Sequence, residues 1–288
     1  MSSVIYSGGT IVNTTFTCTT GTRAEIVTGL GAALVSAGWT SIGSGVYESA
    51  TTAAPKSNFI RVKLNDPGSG NCAQVRIEDV GAVRASNYFW LLPAAGKVYR
   101  VIACKYNFFC FTAIPTASRE FLAAGTLHIP AFLEGVTNGA LGWIQANSNN
   151  DADTTVRDSW RTVLNSGGSG QSPSWIRNNV AVNLSSAFGL YLNSAHAPGA
   201  TFATAIGYRW ADGSLCTSEA IVSFGNAASG DEPRRQGILH NAMMVSESYP
   251  GDDITITSYD GHAWYGVTVT NAGSGSQYIR GTLFLAIT

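Results

Sequence analysis

The chain has 288 residues, enough for one large or two medium domains with ample core. Charged residues make up 12% of it, about half the ~25% usual in soluble domains. The formal net charge is -1 with no run of Lys or Arg, which excludes the electrostatic footprint of a nucleic-acid binder.

The first element to read clearly is a helix in TGTRAEIVTGLGAALVSAGW. Thr22 stands as N-cap with Glu25 three residues on, the pattern of a capping box. Ile26, Leu30, Ala33, Leu34 and Ala37 then recur on one face at helical spacing. Gly38 is placed to end the helix and Trp39 to fold back on the core. Gly29 and Gly31 weaken the helix by ~1 kcal/mol each relative to Ala, and their small size suits a close approach to a sheet.

Two alternating segments follow. FIRVKLN sets Ile60, Val62 and Leu64 against Arg61 and Lys63, and CAQVRIED sets Val75 and Ile77 against Gln74, Arg76 and Glu78. Period two in both predicts half-buried antiparallel strands. The DPGSGN between them could cradle a phosphate or turn the chain. A phosphate loop needs a Lys-Ser/Thr and a following helix; this loop has no lysine and leads into a strand. Pro67 and Gly68 suit the centre of a turn, with Asp66 placed to bond the backbone ahead. VYRVIAC and NFFCFTA predict a second hairpin around Lys105 and Tyr106, so residues 20–113 read as a helix packed on an antiparallel meander.

Beyond residue 115, PTASREFLAAGTLHIPAFLEGV reads as irregular and part-helical. Short strands separated by Ser, Gly and Asn are then expected around 139–146, 180–184, 187–193, 202–209, 219–224, 238–246, 253–257, 263–270 and 278–287. The fold class expected is α+β: residues 1–115 as a helix on a meander, and residues 116–288 as a larger, mainly antiparallel, sandwich-like β domain.

No window approaches the ~20 apolar residues of a membrane helix. MSSVIYSGGTIVN lacks the basic start and continuous apolar stretch of a secretion signal. Cys18, Cys72, Cys104, Cys110 and Cys216 form no CxxC pair, and buried thiols made in a reducing cytoplasm are expected, with a Cys104–Cys110 approach as the alternative.

Chemistry-bearing patterns are sparse. Asp151, Asp153 and Asp158 lack the later ligands of a calcium loop and read as loop caps and partners of Arg157 or Arg161. GDEPRRQG reads as a solvated loop. His128, His196, His240 and His262 form no HxH or HExxH pair. Asp260 and His262 flank a glycine beside Trp264, but no GxSxG elbow supplies a nucleophile, and a turn into an aromatic strand explains them. Neither cofactor nor metal is implied, and no enzyme activity is expected. Trp143, Trp160, Trp175, Trp210 and Trp264 are the candidate contact residues, either as anchors of a protein interface or as platforms for sugar rings.

The runs ALVSAGWTSI, IRVKLNDPGSGNCAQVRIED and FWLLPAAGKVYRVIACKYNFFCFT resemble tail-associated virion proteins of tailed bacteriophages. DADTTVRDSWRT and YDGHAWYGVTVTN…IRGTLFLAIT fit the same resemblance. It implies a structural component of the tail, baseplate or fibre-attachment region, made in the host cytoplasm and carried in the virion. Its partners would be further copies of itself and other virion proteins, with no nucleic acid and no membrane insertion. Two alternatives stand beside it: a virion protein that binds a host receptor or surface glycan, and a capsid decoration or neck protein.

Overall fold

In a computed structural model, the residues described are 9–52, 59–78, 89–113, 120–128, 140–146, 174–177, 180–183, 188–192, 217–226, 234–245, 254–257, 261–272 and 278–288. Among them β1 (Val12–Cys18) precedes α1 (Arg23–Ser36). Next come β2 (Thr40–Gly43), β3 (Val46–Glu48), β4 (Arg61–Asn65), β5 (Ala73–Glu78) and β6 (Phe89–Leu91). Then follow β7 (Lys97–Ala103), β8 (Asn107–Thr112), β9 (Phe121–His128), β10 (Ala140–Ala146), β11 (Ser174–Arg177), β12 (Val180–Asn183) and β13 (Phe188–Leu192). The last are β14 (Thr217–Asn226), β15 (Arg234–Val245), β16 (Ile254–Thr257), β17 (Ala263–Ala272) and β18 (Tyr278–Ala286). Among the described residues the fold is thus mostly antiparallel sheet with one helix.

The helix forms as its sequence dictates. The Glu25 carboxylate accepts the amides of Thr22 and Thr20 at 2.9 and 3.0 Å, and those bonds hold it at about 2, below the usual carboxylate range. At the other end Trp39 N–H bonds Leu34 O and Gly38 N–H bonds Val35 O, both at 3.0 Å. Gly38 has a φ of 93°, so this is a Schellman stop. Trp39 is buried and donates from Nε1 to Cys104 O at 2.9 Å.

Small residues let α1 lie between two sheets. A Cβ on Gly29 would overlap the Phe16 ring on β1, and one on Gly31 would overlap the Tyr47 hydroxyl on β3. One core cluster therefore joins Ile26, Leu30 and Leu34 of α1 to Val62, Val75 and Ile77 on one side and to Tyr99, Phe108 and Leu122 on the other. The five-stranded sheet runs β2-β3-β4-β5-β6, and the larger one follows the path β1-β7-β8-β9-β15-β18-β17-β16, with β10–β14 attached as branches.

The single meander expected for residues 20–113 is corrected here: the β4–β5 and β7–β8 hairpins lie in different sheets. β1 pairs with β7 over seven residues and draws the second hairpin to the far side of α1. The part-helical expectation past residue 115 is also corrected, since 121–128 is β9. Seven of its eight residues are buried, so both faces are covered and the strand shows no apolar/polar alternation. Arg234–Gly237 of the expected solvated loop open β15, with Gly237 buried against Leu127 and His128. The expected boundary at 115/116 falls between β8 and β9, which pair from Asn107↔Gly125 to Phe111↔Phe121.

The larger sheet curls over itself. Phe111 on β8 stacks on Tyr265 of β17 with ring centroids 5.7 Å apart. The two strands are four places apart on the sheet path, roughly 19 Å if it were flat. Arg100 of β7 lies over the same Tyr265 ring at 4.6 Å. β18 runs between β15 and β17 with Leu283, Phe284 and Leu285 buried. The expected strand at 202–209 lies outside the described residues.

Candidate functional site

The turn DPGSGN is a hairpin connection, as its residues predict. The Gly68 amide bonds Asp66 Oδ1 at 2.9 Å, and Gly68 and Gly70 take φ values of 73° and 83°. Arg23, in the first turn of α1, also reaches it, with Nε 2.6 Å from Asp66 Oδ1 and Nη1 donating to Gly70 O. The guanidinium holds the Asp66 carboxyl below its usual range. The loop is tied to the helix through Asp66 Oδ1 and Gly70 O.

Of the five candidate contact tryptophans, Trp143 of β10 and Trp175 of β11 are directly opposed in the backbone ladder. Trp264 is 1% exposed and packs with Met243, Phe284 and Ala286, so it offers no face to a ligand or partner. Trp160 and Trp210 lie outside the described residues, as do Asp151, Asp153, Asp158, His196, Cys216 and Asp260. His262 bonds the Thr288 carbonyl oxygen through Nδ1 at 2.9 Å.

Two buried polar clusters were not legible as sites in the sequence. The first centres on Glu120, fully buried just before β9. Its Oε1 lies 2.9 Å from Lys97 Nζ, both its oxygens accept the Leu92 amide at 3.1 Å, and Tyr99 Oη donates to Oε2. Lys97 Nζ also donates to Leu92 O at 2.8 Å. Burial raises the Glu120 carboxyl against the pull of Lys97, and it raises the Tyr99 hydroxyl and the nearby Cys18 and Cys110 thiols. Thiols shifted upward stay protonated at neutral pH and make poor nucleophiles. The cluster fastens the β6–β7 connection at Leu92 to the start of β9, and its acceptors are consumed in doing so. Cys18, Cys72, Cys104 and Cys110 are buried thiols, and Cys104 Sγ lies 3.1 Å from Asn107 Oδ1.

The second cluster gathers His240 of β15, His128 of β9, and Lys105 and Tyr106 of the β7–β8 turn. The His240 ring packs on Tyr106 with centroids 4.5 Å apart and meets His128 edge-on at 6.2 Å. It is 4% exposed, and among the described residues neither ring nitrogen has a hydrogen-bond partner. Burial, then His128 and Lys105, lower its pKa to about 3. Spacing along the chain gives no hint of this meeting, because it depends on β9 pairing with β15. Among the described residues no group of three His, Cys, Asp or Glu side chains is placed to hold a metal ion. No family model matches the chain, and no curated protein matches it.

Proposed function

We propose that the chain is a structural subunit of a tailed-phage virion, in the tail, baseplate or fibre-attachment region, working by symmetric assembly and not by turnover. The observation that carries the assembly reading is the chemistry of the sheet edges. The strands with one partner among the described residues are β1, β2, β6, β12, β13 and β16. Their sequences, VNTTFTC, TSIG, FWL, VAVN, FGLYL and ITIT, hold no charged residue and no proline. Monomeric sheet proteins blunt their edges with charge and proline, because an open edge is a template for another strand. Edges without either, on a chain of low charge, suit backbone pairing with further copies or with neighbouring virion proteins. The curl that brings Phe111 onto Tyr265 supports a sandwich-like body behind those edges. The assignment to the phage tail rests on the sequence resemblance.

Native mass of the purified chain and its presence in purified particles test this reading. Discrete multiples of the chain mass, with the chain retained in washed virions, are expected. A well-folded monomer absent from virions overturns it. Receptor or glycan binding within the same particle is the second reading, favoured by the opposition of Trp143 and Trp175. Under it, Trp143→Ala or Trp175→Ala abolishes retention on host polysaccharide without changing the native mass.

A further inference from the structure

The two halves of the large sheet meet at a short joint. On one side lie β1, β7, β8 and β9, and on the other β15, β18, β17 and β16. Among the described residues the β9–β15 ladder between them has the pairs Ile238↔His128 and Leu239↔Leu127, against nine pairs between β17 and β18. Close approach depends on Gly237, where a Cβ would sit 2.8 Å from both His128 O and Leu127 Cβ.

Directly past the joint β15 leaves the regular ladder. On β14, Ile221 pairs with Ile238 and Glu219 with Met243, so Ala220 alone opposes residues 239–242. Asn241, inside this bulge, has a φ of 53°, in the left-handed region. The bulge is held to the other half of the sheet by Asn107 Nδ2, which donates to His240 O at 2.9 Å.

We propose that this joint is an acid-sensitive hinge, opened when the buried His240 ring takes a proton beside His128 and Lys105. Among the described residues the groups that face His240 are His128 on β9, Lys105 and Tyr106 in the β7–β8 turn, and Asn107 on β8. Among the described residues no carboxylate acts on it. An imidazolium there would be a buried cation with no acceptor for either N–H among the described residues, next to a lysine and a second histidine. Opening the joint gives the ring water, and its affinity for a proton returns toward that of a free histidine, near ~6.5.

The sign follows from linkage. The closed joint favours the neutral ring, so it is fully stable above ~6.5 and weakens as pH falls, down to the closed-state pKa of about 3. The open population rises by up to about tenfold per pH unit over that range, or about 30-fold at pH 5.

Hydrogen exchange on the full chain at pH 7.5 and pH 5.0, corrected for intrinsic rates, reads this directly. Protection in peptides spanning 121–128 and 234–245 is expected to fall by about 30-fold, while α1 and the β4–β5 hairpin keep theirs. In His240→Phe, whose ring still packs on Tyr106, that acid response is lost. Equal responses in the two proteins overturn the proposal. Where His240→Phe does not fold, imidazole resonances of the wild-type chain decide: His240 titrating far below an ordinary histidine supports the hinge, and His240 titrating near 6.5 in the folded protein refutes it.

Discussion

Lys97 Nζ lies 2.9 Å from Glu120 Oε1, with the carboxylate fully buried and the lysine side chain 14% exposed. The pair is kept in place by more than charge, since Leu92 binds both partners through its amide and its carbonyl. Removing one member leaves the other buried and uncompensated, which costs about 3–5 kcal/mol. Lys97→Met is therefore expected to destabilise the chain by that amount in urea denaturation. Pairing it with Glu120→Gln, whose amide oxygen can still accept from Leu92, should recover more than half of the loss. The pH dependence gives a second check. Burial raises the folded-state pKa of Glu120, so without Lys97 the stability present below ~4.5 declines as pH rises through the shifted value. Lys97→Met should be more stable at pH 5 than at pH 8.

Gly29 and Gly31 give the opposite of the usual result for glycine in a helix. Replacing either by Ala gains ~1 kcal/mol of intrinsic propensity. The new methyl, however, enters the Phe16 ring at position 29 and the Tyr47 hydroxyl at position 31. Overpacking of this kind costs about 1–3 kcal/mol. Both variants should melt below the wild type, and Phe16→Leu should restore part of the loss in Gly29→Ala but none in Gly31→Ala.

These contrasts show which parts of the fold a sequence can carry. The capping box of Thr22 and Glu25, the stop at Gly38 and the alternation in β4 and β5 are local, and each is readable within a few residues. β9 is hidden for a physical reason, because burial on both faces erases the alternation that marks a strand. The split into two sheets is hidden because the β4–β5 and β7–β8 hairpins look alike locally, and only the pairing of β1 with β7 separates them. The clusters around Glu120 and His240 are hidden for the same reason: each joins strands distant in sequence. Trp264 shows the converse error, since an aromatic in an alternating strand fits an interface as well as a core, and here it is core.

The loop DPGSGN is held by Arg23, but that tie is exposed. The Arg23 and Asp66 side chains are 23% and 36% accessible, so solvent screens the pair. Arg23→Ala should cost less than about 1 kcal/mol. Replacing Gly68-Ser69-Gly70 by Asn-Gly should leave the thermal transition within a few degrees of wild type, because small changes in loop length alter closure entropy little. Normal folding with loss of assembly in either variant would show that the loop is a docking element.

β18 sits between β15 and β17, so deleting residues 283–288 removes three of the four β15–β18 pairs and four of the nine β17–β18 pairs. Deleting residues 283–288 also strips Leu283, Phe284 and Leu285 from the core, where their exposures are 0%, 0% and 1%. At ~1.5–3 kcal/mol for each side chain the loss is roughly 5–9 kcal/mol, within the ~5–15 kcal/mol that holds a whole domain together. The truncated chain should therefore lack a cooperative thermal transition and be missing from particles. Phe284→Ala separates folding from assembly. It costs about 3–5 kcal/mol but leaves every edge strand untouched, so a chain still folded at low temperature should keep the native mass of the wild type. A truncated chain that stays folded and becomes monomeric would show instead that β18 serves a neighbouring copy, and that the sheet closes only in the assembly.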